Sequence, residues 1–369
     1  MVQRSLGLYF HIPFCLRRCP YCDFYSTTRL EDRAAYVRAL CRAVETAPLD
    51  GCRAETIYFG GGTPSLLGEE LLAVLEAVRR RLPVAEDAEI TLEANPGAVT
   101  GPQLAALRRG GFNRVSLGLQ AGEAAGLRAL GRVHTAEEGA RAVALCREAG
   151  FGNVSADIML ATPGQTLESA LALAEWAAGL GVEHLSAYLL KIEPGTAFAR
   201  AGTAALCPDG DRAADIYLAV SRRLGDLGLR HYEISNFARP GYESRHNTRY
   251  WRLGEYLGIG PSAHSFFGGR RFFFPPDLDG FLGAADPWSL PEDDGPGGGW
   301  EELVMLALRL ADGLDLALAR ALDPGRTAAL EGRAPLLEKN GLLAREGDRL
   351  ALTEQGFLLS NEIIVRLLS

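Results

Sequence analysis

The most informative stretch of the sequence for the fold is Tyr9-Phe10-His11-Ile12-Pro13-Phe14-Cys15-Leu16-Arg17-Arg18-Cys19-Pro20-Tyr21-Cys22. It opens inside an apolar run that begins at Leu6, and this run predicts a buried strand over residues 6–11. Three cysteines follow directly, at C-x3-C-x2-C spacing in a loop. Such a loop can fold its thiolates around one metal centre, so Cys15, Cys19 and Cys22 are predicted to be metal ligands.

The number of thiols indicates which kind of centre they hold. Structural zinc sites close around four ligands, and ferredoxin-type clusters use four thiolates. No fourth cysteine or suitably spaced histidine follows nearby in the sequence, and His11 lies on the predicted strand, where a packed ring is the favoured interpretation. Three thiolates on a [4Fe–4S] cluster leave one iron open to a further ligand. Zinc stays the alternative at this point.

The chain on the carboxyl side of this loop alternates between short apolar runs and segments of helical period. Candidate strands lie at residues 6–11, 56–59, 89–93, 114–119, 154–160 and 184–189. Candidate helices lie near residues 31–46, 69–81, 102–109, 136–149 and 167–180. This alternation predicts an α/β fold with a parallel sheet. Six βα units favour a partial (β/α)6 barrel, with the open doubly wound sheet as the alternative.

The remaining sequence divides into three further segments. Residues 1–235 are assigned to the barrel and residues 236–285 to an extension that closes on it. Residues 286–300 are rich in Pro, Gly and acidic side chains, as linkers are. Residues 301–369 read as helices and a hairpin, which predicts a small α+β domain resembling a winged helix.

Charge and hydropathy narrow the class of protein. The formal net charge is −8, and residues 301–369 carry 8 basic and 11 acidic groups, so a nucleic-acid partner is not expected. The sequence contains no run of about 18 apolar residues and no signal-peptide pattern at its start. We therefore expect a soluble, cytoplasmic protein with at most transient membrane contact.

Polar residues recur at the ends of successive predicted strands. Gly60-Gly61-Gly62-Thr63 follows the second strand, Glu93 ends the third, Gln120 ends the fourth, and Asp157 lies in the fifth. Barrels of this type build their sites at the carboxyl ends of their strands. Glycines there let backbone groups approach a ligand closely. These residues are predicted to share one site with the cysteines.

The cysteine spacing after a first barrel strand resembles the signature of the radical S-adenosylmethionine (SAM) superfamily, and the longer match resembles its oxygen-independent coproporphyrinogen oxidase-like group. The resemblance implies that SAM chelates the open iron and that an electron from the reduced cluster cleaves it to methionine and a 5′-deoxyadenosyl radical. It also implies a set of residues around SAM: Tyr9, Tyr21, Gly60, Gly61, Gly62, Thr63, Glu93, Gln120, Arg132 and Asp157. Tyr9 would pack near the sulfonium, and Tyr21 would back the adenine.

A later motif separates two branches of this group. The sequence His246-Asn247-Thr248-Arg249-Tyr250-Trp251 resembles the branch of haem chaperones. The decarboxylase branch carries a further cysteine two residues beyond the third cluster cysteine, where this chain has Phe24. The resemblance implies that haem is bound as cargo near His246, whose imidazole can ligate iron. A His-Asn pair that only packs a loop against the barrel is the alternative for His246.

Three hypotheses on function follow. The first is a haem chaperone that carries the cluster and SAM, delivers haem to a recipient protein such as a respiratory one, and can form a homodimer. The second is a SAM-dependent oxidative decarboxylase of coproporphyrinogen III. The third is a metal-stabilised interaction protein without radical chemistry. Enzyme activity stays open between them.

Overall fold

The computed structural model describes residues 3–369. Its centre is a run of six parallel strands that lie side by side in chain order. They are β1 (Arg4–Ile12), β2 (Cys52–Gly61), β3 (Val84–Ala94), β4 (Arg114–Gln120), β5 (Asn153–Leu160) and β6 (His184–Leu189). Because a doubly wound sheet reverses its strand order and this one does not, the partial (β/α)6 barrel is confirmed.

Helices connect and cover these strands where the sequence predicts them, with one short addition. They are α1 (Arg33–Thr46), α2 (Leu71–Arg81), α3 (Gly101–Gly110), α4 (Ala124–Ala129), α5 (Ala136–Glu148) and α6 (Leu167–Gly179). Thr135 and Thr166 form capping boxes at the starts of α5 and α6. After α3 the left-handed residue is Gly111, with φ 114°, a conformation in which helices commonly end on glycine.

The strands divide their side chains between two environments. Leu6, Leu8, Phe10 and Ile12 of β1 are fully buried and belong to the largest apolar core, together with residues of α1 and α2. Alternate residues point to the other face because the side-chain period of a strand is two. Tyr9 therefore contacts the rings of Tyr58 and His246 inside the barrel. The barrel interior is built mainly of polar side chains.

Further strands lengthen this sheet at both edges, to twelve in all. After β6 the chain forms α7 (Ala197–Arg200), α8 (Gly210–Asp226), β7 (Arg230–Glu233), β8 (Asn236–Ala238), α9 (Arg245–Trp251), β9 (Tyr256–Ile259), β10 (His264–Phe267), β11 (Arg270–Phe273), α10 (Leu278–Gly283) and β12 (Glu292–Pro296). The elements from β8 to α10 belong to the extension 236–285. Strand β9 runs parallel to β1, and β12 is the edge strand, antiparallel to β11. Part of the predicted linker 286–300 therefore forms a strand. The composition of β12 is acidic and does not indicate a strand, but backbone pairing with β11 holds it in place.

The carboxyl-terminal segment has a core of its own. It contains α11 (Trp300–Ala307), β13 (Leu314–Asp315), α12 (Leu316–Leu322), α13 (Pro324–Lys339), β14 (Leu343–Glu346), β15 (Arg349–Leu352), α14 (Glu354–Leu358) and α15 (Ser360–Leu368). Its antiparallel sheet has the order β13-β15-β14, as a small α+β domain with a hairpin requires. Backbone hydrogen bonds from Ile234 to Arg309 and from Ala311 to Tyr232, each 2.9 Å long, join it to the barrel. Among residues 3–369, no helix has the length and apolar character to cross a membrane.

Candidate cluster and cofactor site

A cavity of about 690 Å³ opens at the carboxyl ends of the barrel strands. Most of the residues predicted around the cluster and SAM line it: Cys15, Cys19, Tyr21, Cys22, Gly61, Gly62, Thr63, Glu93, Gln120, Arg132 and Asp157. They come from the β1 loop, from the ends of β2 to β5, and from the segment after α4. The structure therefore brings together side chains that lie up to about 140 residues apart in the sequence, as expected where parallel strands end at one rim.

The cysteine loop is pinned at its start by backbone hydrogen bonds. The amide of Cys15 donates to the Thr27 carbonyl over 2.9 Å, and the amide of Thr63 donates to the Phe14 carbonyl over 2.7 Å. Gly62 permits this contact, because a Cβ there would lie 2.8 Å from the Phe14 carbonyl oxygen. The Gly-rich turn was predicted to let the backbone approach a ligand. It also has a local role, because it brings the end of β2 against the cysteine loop.

The three thiols share one electrostatic environment. Burial raises the pKa of Cys15 and of Cys22, and the charge of Cys19 adds to both shifts. Within residues 3–369, no three His, Cys, Asp or Glu side chains converge tightly enough to bind a single metal ion. Structural zinc sites use four protein ligands, whereas three thiolates on a [4Fe–4S] cluster leave one iron open to a further ligand, so the number of thiols fits such a cluster.

A chain of side-chain hydrogen bonds links two of these thiols. The hydroxyl of Thr63 lies 3.7 Å from the Cys15 sulfur and accepts a hydrogen bond from Asn95 Nδ2 over 2.8 Å. Arg132 in turn donates to Asn95 Oδ1, to the Gly118 carbonyl at 3.0 Å and to the Cys19 sulfur at 3.4 Å. Arg132 was predicted to contact SAM, and the structure places its guanidinium against the Cys19 sulfur.

Two carboxyl groups face the cavity from the barrel interior. Glu93 accepts hydrogen bonds from the Tyr58 hydroxyl at 2.7 Å and from the Gly61 amide at 3.0 Å. Burial raises the pKa of Glu93 to about 7, and the neighbouring charge of Asp157 contributes to this shift. Asp157 accepts a hydrogen bond from Ser116 over 3.2 Å, and burial raises its pKa as well. Glu93 can hold a proton near neutral pH, and both carboxyl groups can accept hydrogen bonds from a cationic or hydroxylated ligand.

Gln120 reaches the cavity through an unusual backbone conformation. Its φ is 67°, in the left-handed region that residues with a Cβ seldom adopt. The register between β4 and β5 shifts between Gly118 and Gln120, so the strand bulges where it meets the cavity. Gly118 leaves room for the Gln120 amide, since a Cβ there would lie 2.9 Å from its nitrogen. Local strain of this kind is typical of functional sites.

Two predicted SAM residues lie away from the cavity wall. Tyr9 points into the barrel, where its hydroxyl hydrogen-bonds His11 Nδ1 over 3.1 Å. Gly60 also faces inward, and a Cβ there would lie 2.8 Å from the ring of Tyr58. Both positions follow from the strand period, because Tyr9 pairs with Tyr58 and His11 pairs with Gly60 across β1 and β2. Tyr9 and Gly60 therefore lie in the barrel interior and not in the cavity wall.

His246 occupies the barrel interior rather than a ligand cavity. Its side chain is buried, its Nδ1 lies 2.7 Å from the Thr56 hydroxyl, and its Nε2 lies 2.6 Å from the Tyr250 hydroxyl. Its backbone amide donates to Glu89 over 2.9 Å. Burial lowers the pKa of His246 to about 3. Both ring nitrogens are engaged, so the structure favours the packing alternative, and iron ligation would require both hydrogen bonds to break.

Several residues of the site were not predicted. Asn95 and Tyr58 hold Arg132, Thr63 and Glu93 in place. Asn95 follows Glu93 at the end of β3, and a polar residue at a strand end is the signal that could have identified it. Three apolar side chains at the cavity, Leu16, Phe24 and Val133, are exposed by 57%, 66% and 71%. Tyr58 shows no such signal, because only the strand register places it beside Glu93.

Comparisons with known proteins identify the superfamily and the fold. Residues 9–177 match the model of the Radical SAM superfamily, and residues 299–359 match the HemN C-terminal domain. The solved structure of coproporphyrinogen III oxidase (HemN) from Escherichia coli, a radical SAM enzyme, superimposes with a TM-score of 0.86 at 25% identity. That alignment covers 100% of this chain and 91% of the other.

Curated sequences point to one family within this fold. The Heme chaperone HemW of Mycobacterium tuberculosis is 39% identical over 100% of this chain and 96% of its own length. The Heme chaperone HemW of Escherichia coli is 42% identical over 70% of this chain and 69% of its own length. The chain therefore belongs to the radical SAM superfamily and, within it, to the family of HemW haem chaperones.

Proposed function

We propose that this protein binds haem and passes it to a recipient protein, and that it carries a SAM-ligated [4Fe–4S] cluster in the cavity described above. The observation that carries the proposal is the convergence of three cysteine thiols with Glu93 and Arg132 in one cavity of a HemW-family chain. Haem as the cargo is supported by the names of the relatives.

The residues present fit a cluster and SAM. Cys15, Cys19 and Cys22 would ligate three irons, and the fourth iron would be open to SAM. When bound, the cluster supplies a Lewis-acidic iron and one electron. The chain itself contributes oriented groups: Glu93 accepts hydrogen bonds from cationic or hydroxyl groups, and Arg132 supplies a positive charge. These roles follow from the donor types that face the cavity.

The rim of the cavity offers a surface for haem. Leu16, Phe24 and Val133 are exposed apolar side chains in a region where folded proteins usually place polar ones. Apolar patches at a cavity mouth mark binding sites, and an aromatic ring can pack on a flat macrocycle. Arg17 and Arg18 line the same cavity and can pair with the propionates of haem. In this conformation the rim fits haem better than the buried His246 does.

Haem titration under anaerobic conditions tests this proposal. Phe24→Ser should weaken haem binding by about fivefold or more, because the variant loses apolar contact worth roughly 1 kcal/mol. Leu336→Ser is the matched control, since Leu336 is equally exposed (65%) but lies in the carboxyl-terminal domain. Equal affinity in wild type and Phe24→Ser would refute the rim as the haem site. Absence of haem binding by the wild-type protein would refute the chaperone function itself.

The same haem titration also tests whether His246, in α9, binds haem. His246→Ala should leave haem affinity within about twofold, because the ring is sealed between Thr56 and Tyr250. A larger loss would show that α9 opens and that His246 ligates the iron. Oxidative decarboxylation is the second candidate, favoured by the superposition on HemN over the whole chain. Anaerobic conversion of coproporphyrinogen III with SAM and a reductant would establish it.

A further inference from the structure

We propose that Asn95 is a positioning residue that holds Arg132 and Thr63 against two cluster thiols and thereby raises the reduction potential of the cluster. The inference rests on the proposed cluster, and it assigns a role to a residue that lies between the ligands rather than among them. Asn95 directly follows the end of β3, two residues after Glu93, and lines the cavity.

Both polar atoms of the Asn95 side chain make hydrogen bonds. Its Nδ2 donates to the Thr63 hydroxyl over 2.8 Å, and the hydroxyl lies 3.7 Å from the Cys15 sulfur. Its Oδ1 accepts from Arg132, whose other guanidinium nitrogen donates to the Cys19 sulfur over 3.4 Å. These contacts form one continuous chain that runs from Cys15 through Thr63, Asn95 and Arg132 to Cys19. An amide is suited to the centre of it, because it donates and accepts at once.

A purely local role does not account for this arrangement. Asn95 stands at the N-cap position of the short 3-10 helix Pro96–Ala98, where an asparagine commonly accepts a hydrogen bond from the helix backbone. Its side chain makes no such bond to the described residues, and only its backbone carbonyl accepts from Ala98, at 2.9 Å. Both polar ends of the side chain point to partners of the cluster thiols instead.

Hydrogen bonds to ligating sulfurs and nearby positive charge are known determinants of cluster potential. They stabilise the reduced cluster more than the oxidised one because reduction adds negative charge that spreads onto the thiolates. Thr63 offers a hydroxyl proton to Cys15, and Arg132 offers an N–H and a full charge to Cys19. Loss of Asn95 frees both groups to turn away. The cluster should then be harder to reduce.

The test is an EPR-monitored redox titration of the reconstituted full-length protein without SAM, so that SAM affinity does not enter. Asn95→Ala should shift the midpoint potential to a more negative value. Asn113→Ala is the matched control: Asn113 also makes two side-chain hydrogen bonds, to the backbone at Ala88 and Ile90, but away from the cavity. The control should titrate as the wild-type protein does.

A double-variant comparison identifies the route of the effect. If Asn95 acts through Arg132, Asn95→Ala should shift the potential less in an Arg132→Gln background than in the wild type. An unchanged potential in Asn95→Ala overturns the inference while the cluster assignment stands. A wild-type protein that takes up no cluster overturns the proposed function instead. Where Asn95→Ala loses the cluster, Asn95→Ser is measured, and an unchanged potential there overturns the inference equally.

Discussion

Arg132 and Cys19 lie 113 residues apart in the chain, yet the guanidinium of Arg132 donates a hydrogen bond to the Cys19 sulfur over 3.4 Å. The loop that follows α4 thus reaches back over the loop that follows β1. A positive charge beside a ligating sulfur stabilises negative charge on a bound cluster. The segment after α4 would therefore contribute to the environment of the proposed cluster as well as to the cavity proposed for SAM.

Removing the thiols should remove the cluster. The triple variant Cys15→Ala, Cys19→Ala, Cys22→Ala should remain colourless after anaerobic reconstitution with iron and sulfide, because the cluster has lost all protein ligands. Visible absorbance and bound iron are the measurements. Cys146→Ala is the control, since Cys146 is buried in α5 within the main core and should not affect iron content. Iron and colour retained by the triple variant would overturn the ligand assignment.

Gly62→Ala should loosen the cysteine loop. The added methyl group would lie 2.8 Å from the Phe14 carbonyl oxygen, a backbone atom that cannot turn away. We expect a loss of roughly 1–3 kcal/mol in unfolding free energy, as for other overpacked sites, together with reduced iron content. Gly97→Ala is the control, since no described heavy atom lies within 4 Å of a Cβ there. Equal denaturant midpoints for Gly62→Ala and wild type would contradict the packing argument.

Glu93 makes stability depend on pH. Its pKa in the folded protein is raised from 4.5 to about 7, so the folded state binds the proton more tightly than the unfolded state does. The resulting stabilisation is complete below about pH 4.5 and is lost as the pH rises through 7. Since Glu93 faces the cavity, we expect a decrease on the order of 1–2 kcal/mol between pH 5 and pH 8.

Denaturant unfolding of the cluster-free protein at several pH values measures this decrease. Glu93→Gln should flatten the curve, because an amide does not titrate. A residual slope is expected from Glu233, whose pKa burial also raises to about 7. A pH dependence identical in wild type and Glu93→Gln would show that the carboxyl group titrates near its ordinary value.

His246 should matter for stability. His246→Ala leaves the Thr56 and Tyr250 hydroxyls without their partner and opens space in the barrel interior. We expect a loss of about 2–4 kcal/mol, the range for a buried polar side chain with two hydrogen bonds. His264→Ala is the control, because His264 is exposed and its change should stay within about 0.5 kcal/mol. A His246→Ala protein as stable as wild type would argue against the packing role.

Local patterns predicted most of the fold. The six parallel strands and their helices are recognisable because apolar residues repeat at the period of each element and because glycines and threonines mark helix ends. Strand β12 lies within residues 286–300, which were predicted to be a linker. Its pairing with β11 is a long-range contact, which local composition does not encode.

Local features of the sequence, namely cysteine spacing within one loop and polar residues at strand ends, were enough to predict the cluster ligands and the rim on which the cavity lies. Tertiary packing sets which side chains face the cavity, places Tyr9 and Gly60 inside the barrel, and engages both nitrogens of His246. The tertiary structure also brings the Asn95 side chain within hydrogen-bond distance of Arg132 and Thr63. The physical reason is register: pairing between β1, β2, β3 and β4 sets which alternate residues meet, and a shift of one residue would turn each of them to the opposite face.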